Sequence, residues 1–218
     1  MAASVVQAQV LRAQPLARDA TRWYRADPRQ QKRTALPFVK DDLKRWWREA
    51  TPVSDRVLLS SVDLAQDRTR LKETGITHIC NATGDLPRFY KDDFVYHKTG
   101  WFDDDHAKCT PAEYRASFDF IEDALASDTK ALVLVHCAAG RSRSASIVLY
   151  YLCRKHKLSL RDAMIRLYDA RSIVMINELF VACVAQTLAQ DAADSPPLAD
   201  LAADHHHALL LDDFVLQQ

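Results

Sequence analysis

The stretch Ala131-Leu132-Val133-Leu134-Val135-His136-Cys137-Ala138-Ala139-Gly140-Arg141-Ser142-Arg143-Ser144 decides how this chain reads. It opens on a continuous apolar run, the pattern of a strand covered on both faces at the centre of an α/β sheet. Ser144 to His156 reads as a helix, so His136 to Arg143 is the loop between strand and helix. A tight loop at a helix N-terminus aims successive backbone N–H groups inward, and the helix dipole adds positive potential there. Gly140 supplies a backbone conformation that a side chain would hinder. The product is a cradle for a dianion.

Cys137 lies at the base of that cradle. A free thiol titrates near 8.5, and a helix N-terminus with neighbouring cations lowers that value by several units, so Cys137 reads as a thiolate at neutral pH. Arg143 follows where the loop becomes a helix, and its planar fork can hold two phosphate oxygens at once. Cys-x5-Arg alone is a weak pattern. Cys109 and Arg115 match it too, but that pair straddles the start of an amphipathic helix, lacks a glycine and follows no apolar strand.

The segment His136 to Ser144 resembles the signature loop of the dual-specificity branch of the protein tyrosine phosphatases. The likeness extends through Leu71 to Asn81, Phe94 to Asp104, Phe118 to Leu125 and Leu158 to Arg171, and covers roughly residues 52–190. It implies that Cys137 attacks phosphorus in line to give a phosphocysteine, which water then hydrolyses. It implies that Arg143 and the N–H groups of Ala138, Ala139, Gly140, Arg141, Ser142 and Arg143 hold the phosphoryl oxygens. Ser144 would ease departure of the thiolate, and His136 would orient the loop and help keep the thiolate. No cofactor or metal is implied.

A leaving oxygen also needs a proton, and an aspartic acid can supply it. Asp103, Asp104 and Asp105 are the candidates. Counting back from Asp119-Phe120-Ile121, a segment that resembles one recurrent in the family, points to Asp104, 33 positions before Cys137. Asn177 reads as a helix cap or as part of the loop's surroundings, since the family often carries Pro-Asn where this chain has Ile176-Asn177. Cys80 and Cys153 read as core residues, with a resolving thiol as the other possibility. Trp101, Phe102, Phe89 and Tyr90 are candidates for either the rim or the core.

Around this centre the expected elements are a strand at 56–59, a helix from Leu64 to Glu73 closed by Gly75, and strands at 76–81 and 94–97. Thr110-Pro111-Ala112-Glu113 opens a helix by the capping rules and runs to about Ala126, with Tyr114, Phe118, Ile121 and Leu125 on one face. Ser159 caps a helix to about Ala170, and Asn177 one to about Gln190. A helix or packing segment from Leu36 to Ala50, with Trp46 and Trp47, is ended by Pro52. The expected fold is therefore a single α/β domain, phosphotyrosine protein phosphatase-like, with a mostly parallel sheet of about four or five strands flanked by helices. A basic N-terminal segment (1–51) and an acidic, disordered tail (191–218) flank the catalytic domain (52–190).

Composition bounds the rest. The 218 residues carry 29 basic and 29 acidic side chains, so no overall field favours nucleic acid. The charge is polarised, however: residues 1–48 hold 11 Lys/Arg against 4 Asp/Glu, and no Lys or Arg follows Arg171. Five cysteines without paired spacing fit free thiols in a reducing compartment, read as cytoplasmic with the nucleus allowed. The Arg-rich start partly resembles a mitochondrial transit peptide, although its serine content is low. No apolar run has the length of a membrane span. The partner expected is a phosphorylated protein. Ala138 and Ala139 favour it, because lipid-directed relatives often carry a lysine after the cysteine, while Arg141 adds charge to the rim. The alternatives are a non-protein phosphomonoester (phosphoinositide, phosphatidylglycerophosphate or phosphoglycan) and a phosphate-binding adaptor without turnover. His205, His206 and His207 read as a surface tract.

Overall fold

The computed structural model describes residues 48–103 and 108–194. Trp46, Trp47, Asp104, Asp105 and the three tail histidines lie outside the described residues. One five-stranded sheet has the order β1-β2-β5-β3-β4. Its strands are β1 (Thr51–Ser54), β2 (Val57–Ser60), β3 (His78–Asn81), β4 (Val95–Lys98) and β5 (Val133–His136). Only the β1–β2 pair is antiparallel.

The apolar run at 131–135 lies at the centre, as its composition demands: every residue of β5 is buried. Register then sorts its side chains by face. Leu134 aligns with Leu58 and Ile79, and all three join Leu64, Leu71, Ile76 and Phe94 beneath α1 (Val62–Ala65) and α2 (Arg68–Thr74). Val135 aligns with Leu59 and Cys80 on the other face, under α3 (Pro111–Ser127), α4 (Arg143–His156), α5 (Leu160–Ala170) and α6 (Glu178–Asp194). Each buried aliphatic side chain contributes about 1.5–3 kcal/mol.

Three elements differ from the sequence reading. The expected helix from Leu64 to Glu73 is two helices, because Asp67 leaves the helical conformation and its carboxylate accepts the Arg70 N–H as an N-cap. Pro52 lies within the edge strand β1 instead of merely ending a helix; an edge strand tolerates the missing N–H. The last helix runs to Asp194, past the expected end near Gln190, and takes Asp191 out of the acidic run. The capping box at Thr110 and Glu113, the left-handed Gly75 at the end of α2 and the Ser159 cap stand where the sequence places them.

Asp191 ties α6 to its neighbours. It takes Arg115 Nε of α3 at 2.8 Å, Arg154 Nη1 of α4 at 2.5 Å and the Tyr150 hydroxyl at 2.6 Å. Its side chain is 9% exposed, so screening is weak on one side of these pairs. Asp191→Ala should lower the unfolding free energy by about 2 kcal/mol, since it strands three donors, read as the shift in a urea denaturation midpoint at constant slope.

Candidate active site

Residues from β2, from α1 and from the segment between α5 and α6 converge on the loop between β5 and α4. Gly140 adopts φ +65°, and a Cβ there would meet the Ser60 carbonyl oxygen at 2.5 Å. Both the backbone angle and the close approach to β2 require glycine. The loop turns its carbonyls outward, where donors from α1 and from the segment between α5 and α6 meet them. Val62 N–H of α1 donates to Ala138 O at 3.1 Å, and Met175 N–H to Arg141 O at 2.9 Å. Arg171 Nε donates to Gly140 O at 2.9 Å, with Nη2 3.5 Å from Ala139 O. Ala82 N–H takes the His136 carbonyl at 2.8 Å.

Cys137 is 2% exposed, and its sulfur accepts from Gly140 N at 3.3 Å and from the Ser144 hydroxyl at 3.1 Å. Burial alone would raise the thiol pKa. The Ser144 hydroxyl, the Ser144 N–H, the Arg143 charge and the Arg141 N–H outweigh it and bring the thiol below its ordinary value. At two other thiols in the domain burial wins, against the Ser117 hydroxyl at Cys80 and a single backbone bond at Cys153. Burial pushes Cys80 and Cys153 up to about 12, which leaves them protonated core residues.

Arg143 is buried at the start of α4. Its Nη1 donates to the Trp101 carbonyl at 3.2 Å and to Asp85 at 3.3 Å, while its buried Nε meets no acceptor among the described residues. His136 is fully buried, and burial, opposed by the Cys137 backbone bond and reinforced by the Arg143 charge, lowers its pKa to about 4. The imidazole is therefore neutral at pH 7. Whatever it lends the thiolate is dipolar, not a charge.

The rim is built by Ser142, which donates to Asp103 at 3.0 Å and accepts from Asn177 N–H at 3.0 Å. Asn177 Nδ2 also reaches Asp103 at 3.4 Å, and its side-chain oxygen caps α6 through Leu179 N–H. Asn177 thus fills both roles that the sequence allowed. Arg141 is turned to the side, its Nε donating to the Ile173 carbonyl at 3.0 Å. Trp101 is core, wedged between Tyr114 and Phe180, whereas Phe102 is 55% exposed. Phe89 and Tyr90 are half-buried against the α1–α2 core. Arg115 of the second Cys-x5-Arg match points at Asp191, away from Cys109.

Sequence reasoning missed Arg171 and Asp85. Arg171 is fully buried and spans the loop and β1, where Nη1 donates to Thr51 Oγ1 at 3.0 Å. Nothing local marks it, because its partners lie 31 and 120 residues away. Asp85 had a signal: Gly84-Asp85-Leu86-Pro87 is a turn just beyond the carboxyl end of β3, where α/β sheets gather their sites.

A cysteine with a lowered pKa, set in a glycine-requiring anion cradle beside a fixed guanidinium, is equipped to attack a phosphate ester. The dual specificity phosphatase catalytic domain matches residues 57–188, and the chain belongs to that family. It is 33% identical over 127 residues to protein-tyrosine-phosphatase MKP1 of Arabidopsis thaliana, covering 58% of this chain and 16% of that protein. It is 33% identical over 132 residues to protein phosphatase Slingshot homolog 3 of Rattus norvegicus, covering 61% of this chain and 20% of the relative. The chain thus spans no more than a fifth of the length of these two relatives. A crystal structure of a point variant of human DUSP28 superposes with a TM-score of 0.61 at 25% identity, covering 67% of this chain and 98% of that one.

Two outcomes follow from this geometry. Arg171→Lys keeps a charge but cannot serve Gly140 and Thr51 from one rigid plane. It should weaken tungstate binding roughly tenfold by calorimetry and cost about 2 kcal/mol in stability. His136 has a folded pKa of about 4 against an ordinary 6.5, so the unfolded state binds the extra proton between those values. Its contribution is present above pH 6.5 and is lost as pH falls toward 4. The melting temperature of His136→Gln should accordingly fall less than wild type over that window.

Proposed function

We propose that this chain is a phosphoprotein phosphatase that hydrolyses phosphotyrosine, and phosphoserine or phosphothreonine, through a phosphocysteine. The observation that carries the reading is the Cys137 sulfur, acidified by donors from Gly140 and Ser144 at the base of the cradle. The thiolate attacks phosphorus and the bond to the leaving oxygen breaks, while that oxygen takes a proton from an aspartic acid. Water then attacks the phosphocysteine and gives its proton to the aspartate. The P–S bond breaks, phosphate departs, and the Ser144 hydroxyl receives the restored thiolate. Arg143 and the inward N–H groups stabilise the equatorial oxygens in both steps.

Asp104 is the proposed acid. Asp103 is committed to Ser142 and Asn177, which supports looking past it along the chain. The side-turned Arg141 and the apolar exposure of Phe102 and Met175 favour a phosphoprotein over a phosphoinositide or phosphoglycan. The unit that carries the activity is the domain read as 52–190, with β1 beginning at Thr51 and α6 ending at Asp194. Five free cysteines support a reducing compartment, with the cytoplasm as the proposed one. No helix among the described residues is long and apolar enough to cross a membrane.

The test is hydrolysis of a small aryl phosphate in EDTA by wild type, Cys137→Ser and Asp104→Asn. Wild type should turn over without metal, and the serine variant should lose at least about 10³-fold. The asparagine variant should lose about 10²-fold on an alkyl phosphoester and less on an aryl one, whose oxygen leaves without help. A folded, reduced wild type that binds tungstate but turns over neither phosphopeptides nor phospholipids would instead be an adaptor.

A further inference from the structure

Asp85 lies outside the signature loop, and no step of the chemistry above uses it. Yet its carboxylate shares the Nη1 nitrogen of Arg143 with the Trp101 carbonyl, at 3.3 and 3.2 Å. The turn that presents it is held from several directions. Asn81 Nδ2 donates to the carbonyls of Leu86 and Pro87, each at 3.2 Å. Thr83 donates to Asn81 at 2.7 Å and accepts the Leu86 N–H at 3.2 Å. Lys98 of β4 donates to the Gly84 and Leu86 carbonyls at 3.1 and 2.7 Å. Gly84 itself abuts the 100–102 segment: a Cβ there would meet the Gly100 carbonyl and the Phe102 ring at 2.8 Å. Asp85 and the Trp101 carbonyl thus approach Arg143 from two segments packed against one another.

The consequence is orientational. One acceptor on Nη1 leaves the guanidinium free to swing about that contact; two acceptors from different segments fix its plane. With Nη1 occupied, the side edge of the fork is the pair left for two phosphoryl oxygens, and the buried Nε on that edge meets no acceptor among the described residues. Asp85 also brings a negative charge toward a dianion site. Its side chain is 54% exposed, however, so water screens that repulsion, while a hydrogen bond's direction is not screened.

Resting on the phosphatase reading, we propose that Asp85 is a positioning residue for Arg143, holding Nη1 so that the side edge of the guanidinium faces the phosphoryl group. The acceptor oxygen matters more than the charge. Asp85→Ala, Asp85→Asn and wild type are compared for aryl phosphate turnover, for tungstate binding by calorimetry and for melting temperature. The alanine variant should keep the wild-type melting temperature, bind tungstate about tenfold more weakly and lose about tenfold in kcat/KM, and the asparagine variant should recover most of both losses. Alanine binding tungstate as tightly as wild type, or more tightly, overturns the proposal, as does an asparagine variant as impaired as alanine. Should wild type bind tungstate without turning over any ester, the phosphatase reading fails and the binding series still decides the role of Asp85. Should wild type not bind tungstate at all, both readings fall together.

Discussion

Inward-facing N–H groups in the loop between β5 and α4 force its carbonyls to face the protein. Each of those carbonyls would be orphaned in the interior without a donor, at about 1–3 kcal/mol apiece. The domain meets this with donors from separate parts of the chain: the start of α1, the segment between α5 and α6, and above all the Arg171 side chain. Burying a whole guanidinium is costly. It is tolerated because the group bonds to the loop, to Thr51 and to the Glu49 carbonyl, and its pKa falls only to about 10, so it stays charged at pH 7. The loop's shape and the packing of α5 against β1 are therefore one constraint.

The same constraint explains why burial has opposite outcomes for neighbouring thiols. Cys80 stands one strand away from β5 and is as deeply buried as Cys137, yet burial sends its pKa up to about 12. Cys137 differs in the donors that converge on its sulfur, and those donors exist because the loop is pinned from behind. His136, one residue earlier, has no comparable set of stabilising charges and is driven neutral. The electrostatics of the site is thus a property of the converging donors, the Ser144 hydroxyl first and the backbone N–H groups with it, more than of depth or of any single cation.

This also marks what the sequence could disclose. The strand, the glycine, the cysteine and the arginine lie within one short stretch, each required by local geometry, so the centre of the fold and of the site was legible together. The Thr110–Glu113 capping box was equally local. What escaped depends on closure. Arg171 has meaning only once α5 is folded back beneath the loop, and β1 only once Arg171 has reached Thr51. Asp67 looked like a mid-helix residue until its carboxylate competed for the Arg70 N–H. Asp191 fell in an acidic run that composition alone assigns to solvent, until Arg115, Tyr150 and Arg154 from two other helices met it.

The aromatic core carries the reasoning one step further from the loop. The Trp101 ring is packed 4.9 Å from Tyr114 of α3 and 5.4 Å from Phe180 of α6, and the Trp101 carbonyl is one of the two acceptors on Arg143. Asn177, which caps α6, binds Ser142 and Asp103 at the rim. The docking of α6 therefore sets both the depth at which the guanidinium sits and the height of the rim above it. A close-packed interior transmits a volume change instead of absorbing it. Altering Phe180 should then be felt at Arg143 without any contact between the two side chains. Core and site in this domain are a single mechanical unit, in which the hydrophobic layer fixes the position of a hydrogen-bond acceptor that the chemistry requires.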